Sequence, residues 1–138
     1  MKPEICSGRL NLVVCVIAYR DTPNGYRKFL MTQREDGKFA LIGGMGACCL
    51  SETMFEFAKR EFEFDTGVDA PIDKFRYVES LLDSNGTTLT LLFSYHYERD
   101  DWKDATGKWL SVAMIGELAE DGKIAFNGDR HIANFIIK

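Results

Sequence analysis

A chain of 138 residues with 46% hydrophobic and 28% charged side chains has the make-up of an ordinary folded domain, and at this size one core can take up about two thirds of the unfolded surface. Its net charge of −4 argues against a broad footprint on long nucleic acid, which needs clustered Lys and Arg to displace counterions from phosphates. A single domain over residues 1–138 is expected, with neither disorder nor a membrane span, and any nucleotide partner should be a small one.

Residues 10–19, rich in Val, Ile and Leu, read as a first β-strand. The stretch has the length of a signal-peptide core, but Glu4 precedes it and no small-residue cleavage site follows. Asp21-Thr22-Pro23-Asn24-Gly25 supplies turn chemistry and residues 26–32 return as a second apolar run, which predicts a hairpin. After a turn at Asp36-Gly37, residues 39–42 read as a short strand leading into a loop, Gly43-Gly44-Met45-Gly46, whose glycines permit conformations closed to other residues.

Ser51 is the expected N-cap of a helix over residues 52–66, with Glu52 at the positive end of its dipole and Gly67 as its stop. Phe55, Ala58 and Phe62 form one apolar stripe, with Met54, Phe57 and Phe64 spread more widely, so much of this helix should be buried. Residues 75–82 and 87–97 flank Asp83-Ser84-Asn85-Gly86 and predict a second hairpin. A strand at 109–112 and a short helix at 114–119 follow; the spacing over 131–137 allows either a helix or a strand. Cys6, Cys15, Cys48 and Cys49 lack the paired spacing of a zinc site, which points to free thiols in a reducing cytosol, with a redox-active Cys48-Cys49 pair as the lesser alternative. This order of elements suits a mixed sheet covered by helices.

Within residues 46–68, Gly46, Glu52, Arg60, Glu61, Asp65, Gly67 and Val68 stand at fixed spacing. Glu61 and Asp65 fall on one helical face, about 40° from eclipsed, so they can share a cation; a solvated acidic face is the plain alternative. The pattern resembles the Nudix box, which runs Gly, five residues, Glu, seven residues, Arg-Glu, an apolar residue, any residue, Glu-Glu, any residue, Gly, apolar. Gly46, Glu52, Arg60, Glu61, Phe62, Gly67 and Val68 match it, Asp65 is a conservative match, and Phe64 stands where the first Glu of the pair belongs. Gly43-Gly44 look like the family's glycine pair, two residues farther from Glu52 than is usual, unless the pair is Gly44 and Gly46 with Met45 inserted. Ile42 replaces the family's proline before the pair.

The resemblance implies an α/β/α sandwich with a mixed β-sheet. It also implies a Mg²⁺- or Mn²⁺-dependent hydrolase that cuts a pyrophosphate bond in a nucleoside diphosphate linked to another moiety; a cytoplasmic location is the expectation from the free thiols, and a homodimer is allowed. ADP-ribose, a dinucleotide or a nucleoside triphosphate would serve as substrate. Such a reaction brings water to a phosphorus ringed by negative oxygens, which a divalent cation neutralises; Mg²⁺ needs only a few carboxylates besides the substrate's phosphates.

By resemblance Glu61 is a principal metal ligand or metal-linked base, and Asp65 a further metal ligand. Arg60 orients the helix acids and the glycine loop, a role suited to a forked donor; a surface pair with Glu56 is its alternative. Glu52 sits near the metal or supports the loop, unless helix-dipole placement alone accounts for it. Gly43, Gly44 and Gly46 belong to the ligand-binding loop. Because the Phe64 ring can ligate nothing, the chain binds fewer metals, recruits an acid from elsewhere, or binds nucleotides without cleaving them. Glu98, followed by Asp100 and Asp101, is the candidate for recruitment as a metal ligand, against a solvated acidic loop. Phe64 lies about 60° from Glu61, on the side opposite Asp65, where its ring could enter the core. Tyr19, Phe39, Tyr95, Tyr97 and Trp102 are available to stack a base and Arg34 to meet a phosphate, although core and surface roles suit the same residues.

Overall fold

The computed structural model describes residues 11–46 and 52–137; the expectations placed on Cys6, Cys48, Cys49 and Ser51 lie outside the described residues. The first apolar run forms β1 (Asn11–Asp21), which turns back into β2 (Arg27–Gln33). The turn is closed by Thr22 N–H donating to Tyr26 O at 2.7 Å. The two strands pair only next to it, Tyr19 to Asp21 facing Phe29 to Arg27. Beyond that point they splay, and β3 (Phe39–Gly46) enters the fork. It pairs with β2 from Phe39 to Leu41 and with β1 from Ile42 to Gly46. The expected glycine loop is therefore strand, because the register with β1 runs on through all three glycines.

β4 (Phe75–Leu82) and β5 (Thr88–Tyr97) form the expected second hairpin, whose turn is held by the Asp83 carboxylate accepting from Thr87 N–H at 2.8 Å and Thr88 N–H at 3.1 Å. β5 runs parallel to β1, and β6 (Lys108–Ser111) adds to β2. The sheet order is β4-β5-β1-β3-β2-β6. Period-2 alternation then sorts the core into two layers. Val14, Val16 and Ala18 join Ile42, Phe93 and Tyr95 on one face, while Ile17 joins Leu41 and Leu92 on the other.

Helix α1 (Met54–Thr66) covers the first face with Phe57, Ala58 and Phe62; α2 (Val112–Glu120) and α3 (Gly128–Ile137) cover the second with Ile115 and Ile132. The result is an α/β/α sandwich with a mixed sheet. Residues 131–137 are thus helical, with Ile132 and Phe135 turned to the sheet. Among the described residues no helix is long and apolar enough to cross a membrane.

α1 begins two residues later than expected. Its N-cap is Thr53, whose Oγ1 accepts from Glu56 N–H at 3.1 Å while Glu56 Oε1 accepts from Thr53 N–H at 2.7 Å. This reciprocal capping box satisfies two backbone donors at once and leaves Glu52 outside the helix. Gly67 ends the helix as expected, with φ 75° and its N–H on Glu63 O at 2.9 Å. The Phe64 ring is 83% exposed, so it does not enter the core.

Candidate active site

The rotation of α1 about its axis is set by Phe62, whose fully buried ring packs on Tyr95 at 4.8 Å and Phe75 at 5.5 Å between centroids. Burying such a ring stabilises the fold by about 1.5–3 kcal/mol, enough to fix which side of the helix faces the sheet. Its neighbour Glu61 and the next turn's Asp65 then meet β3. Asp65 Oδ2 accepts from Gly43 N–H at 3.1 Å. Glu61 Oε1 fills the space above Gly44, where an added Cβ would stand 2.1 Å from it. At Gly43, with φ 156°, a Cβ would stand 2.0 Å from Val14 O. The two carboxylates therefore converge on adjacent residues of one strand, and neither residue can carry a side chain without displacement. Gly46 ends β3 opposite Leu12.

Arg60 ties this arrangement to the segment before the helix. Its Nη2 donates to Glu52 Oε1 at 2.5 Å, its Nε to Glu52 Oε2 at 3.4 Å, and its Nη1 to Glu61 Oε2 at 2.9 Å. Hydrogen bonds donated to the Glu52 carboxylate are the largest influence raising the Arg60 pKa further. Glu56, the alternative partner, is occupied by the capping box. Burial is the main cause of a raised Asp65 pKa, partly offset by the Gly43 N–H.

Beside the glycines opens a pocket of about 550 Å³, bordered by Cys15, Asp65, Thr32, Arg34, Phe126 and His131 among others. Burial pushes the Cys15 thiol up to about 11, so it stays protonated and is no nucleophile at neutral pH. Burial lowers the His131 pKa, which favours the neutral imidazole. Of the aromatic residues singled out in the sequence, Tyr95 and Tyr97 belong to the core, Trp102 lies under the Arg20 guanidinium at 3.6 Å, and none of the five lines this pocket. Phe126 and His131 do, and no motif marks them: they arrive through the placement of α3.

Glu98 is not brought to the pair. It borders a separate pocket of about 210 Å³ with Tyr19, Lys74, Arg76, Ser94 and His96. The register explains why: Gly43 faces Cys15 of β1, whereas Tyr97, just before Glu98, faces Arg20. Five residues of strand separate the two positions, about 17 Å.

The oxygen atoms of Glu61 and Asp65, converging on the two adjacent glycines of β3, fit a hard cation that takes its remaining ligands from water and phosphate. Among the described residues no group of three or more His, Cys, Asp or Glu gathers as a metal cage.

No family model matches the sequence, and no curated protein matches it. Solved structures do match in shape. The NUDIX domain of Shewanella oneidensis NrtR, in complex with ADP ribose, superposes with a TM-score of 0.73 at 18% identity, over 100% of this chain and 94% of that one. The fold is a Nudix fold. The Nudix likeness extends to Caenorhabditis elegans Ap4A hydrolase, with a TM-score of 0.63, 16% identity and 92% and 98% of the two chains covered. A MutT/nudix family protein from Enterococcus faecalis gives a TM-score of 0.62 at 21% identity over 80% of this chain, a match that spans 46% of the longer Enterococcus chain.

Proposed function

We propose that this chain is a Mg²⁺- or Mn²⁺-dependent hydrolase of a pyrophosphate bond in a nucleoside diphosphate linked to another moiety. The observation that carries this reading is the convergence of Glu61 and Asp65 on Gly43 and Gly44, with Arg60 bridging Glu61 to Glu52. Glu61 and Asp65 are the residues that would hold the cation, which when bound neutralises phosphate oxygens and makes water a better nucleophile. Arg60 fixes the Glu61 carboxylate by a directed hydrogen bond, so that one oxygen stays turned toward Gly44. Glu52 or Glu61 accepts the proton that the attacking water gives up. The bare backbone at the glycines lets a diphosphate approach closely. The ADP ribose of the NrtR complex and the Ap4A of the nematode hydrolase's name both contain a nucleoside and linked phosphates, which supports the substrate class.

The test is turnover by purified protein with Mg²⁺ or Mn²⁺ on ADP-ribose, NADH, dinucleoside polyphosphates, nucleoside triphosphates and sugar nucleotides. Cleavage of at least one is expected, with kcat falling about 10²- to 10⁴-fold in Glu61→Gln while circular dichroism stays unchanged. A Glu61→Gln protein with full turnover contradicts the assignment.

A second reading, nucleotide binding without cleavage, is favoured by Phe64, which offers solvent a ring where the box carries a carboxylate. Saturable binding with no turnover across that panel would establish it. Because the ring is exposed, Phe64→Glu should leave stability within about 0.5 kcal/mol and tighten Mn²⁺ binding measured by calorimetry; unchanged affinity would put this position out of the cation's reach.

A further inference from the structure

Leu92 of β5 faces the layer under α2 and α3, and by period 2 Ser94, His96 and then Glu98 follow it on the same side. The register adds polar neighbours: Ser94 lies opposite Arg76 of β4, and His96 opposite Tyr19 of β1. Apolar packing ends at Tyr19, against which Phe135 of α3 sits at 5.4 Å between ring centroids. Beyond it the polar residues border the pocket of about 210 Å³ that Lys74 completes. Ser94 is only 6% exposed, so its hydroxyl lies at the floor, and the stacked rings of Tyr19 and His96, 4.5 Å apart, make one wall. At the rim Arg76 Nη1 donates to Asp73 O at 2.5 Å and Phe75 O at 3.3 Å, which fixes the guanidinium and leaves its Nε and Nη2 for another partner. Among the described residues neither Arg76 nor Lys74 is in an ion pair; Asp21 is taken up by Arg27 at 2.9 Å and His96 at 3.3 Å.

We propose that this pocket is a second binding site, for a small phosphate monoester that carries a free hydroxyl. Two cations and a buried hydroxyl facing one recess supply donors in excess, the complement of a group with several anionic oxygens, and a guanidinium fork suits phosphate geometry. Arg76 and Lys74 take the phosphate oxygens with Ser94 beneath them, and Glu98 on the same rim accepts from the hydroxyl. The volume lies below the about 300–1,000 Å³ of pockets that hold larger ligands, so the occupant is small. This site is separate from the glycines of β3 and does not rest on the chemistry proposed there.

The experiment follows the backbone amide resonances of the full chain, in a chelator that removes divalent cations, during separate titrations with ribose 5-phosphate, inorganic phosphate and ribose. Ribose 5-phosphate should shift Ser94 and His96 saturably and bind more tightly than inorganic phosphate, and ribose should not bind. Arg76→Gln, a change at an exposed position, should weaken ribose 5-phosphate about 10- to 150-fold, the range for losing hydrogen bonds to a charged group, with the remaining spectrum unchanged; Arg76→Lys, which keeps the charge, should regain part of the loss. Glu98→Ala should lower the ratio of ribose 5-phosphate to inorganic phosphate affinity at least about fivefold, because the first probe loses an acceptor for its hydroxyl and both are freed of the same repelling charge. No saturable shift at Ser94 and His96, equal affinity of the parent for the two phosphates, full affinity in Arg76→Gln, or an unchanged ratio in Glu98→Ala overturns the assignment. None of these results bears on the hydrolysis proposed above.

Discussion

Burial raises the Asp65 pKa more than the Gly43 N–H lowers it, so the ionised form of this side chain is held at a cost in the folded protein. The consequence for stability has a definite sign. A carboxyl whose folded pKa lies above its unfolded value of 3.8 contributes fully below that value and loses the contribution as pH rises through the folded pKa. At pH 7 without divalent cations, Asp65→Asn should therefore melt at a higher temperature than the parent, since its amide oxygen can still accept from Gly43 N–H. The difference should shrink as the pH falls towards 3. A variant less stable than the parent at pH 7 in a chelator would contradict this account. The same substitution removes a proposed cation ligand, so the stability gained is stability that the proposed chemistry spends.

At the scale of elements, β3 and α1 make the site together, and the two glycines of β3 separate their contributions. Gly43 lies against the backbone of Val14, which cannot yield easily, whereas Gly44 lies against the end of the Glu61 side chain, which can swing. Gly43→Ala should accordingly destabilise the protein by about 1–3 kcal/mol in denaturant titrations. Gly44→Ala should cost less stability and more activity, because it displaces the carboxylate. Equal effects on both measurements would show that the glycines serve the fold alone. Much of this pair of elements was legible in the sequence. The Glu61-Asp65 spacing and the Gly67 stop follow from helical periodicity and left-handed backbone, both local properties. What was not legible depended on competition or on distant partners. Thr53-Met54-Phe55-Glu56 is itself a capping-box pattern, and the helix starts there because Glu56 can reach back to its own cap. Gly43 to Gly46 look like a loop locally and become strand only because β1 offers them a register.

At the scale of the molecule, the splayed β1–β2 hairpin lets β3 change partners, and this places its glycine-bearing half beside α1. Both hairpins and the layered class could be read from turn residues and alternation. The position of Glu98 could not, since it depends on how far β5 runs beside β1, and that register leaves it bordering a different pocket. Phe126 was missed for a related reason, being assigned to the pocket by the docking of α3. The central claim is that Glu61 and Asp65 hold one cation between helix and strand. It is tested most directly by titrating Mn²⁺ into the parent, Glu61→Gln and Asp65→Asn in the presence of ADP-ribose and following the ion by paramagnetic resonance. Saturable binding by the parent, weakened at least about tenfold, or 1.4 kcal/mol, in each variant, is the predicted result; the same affinity in all three proteins, or none in the parent, would contradict it.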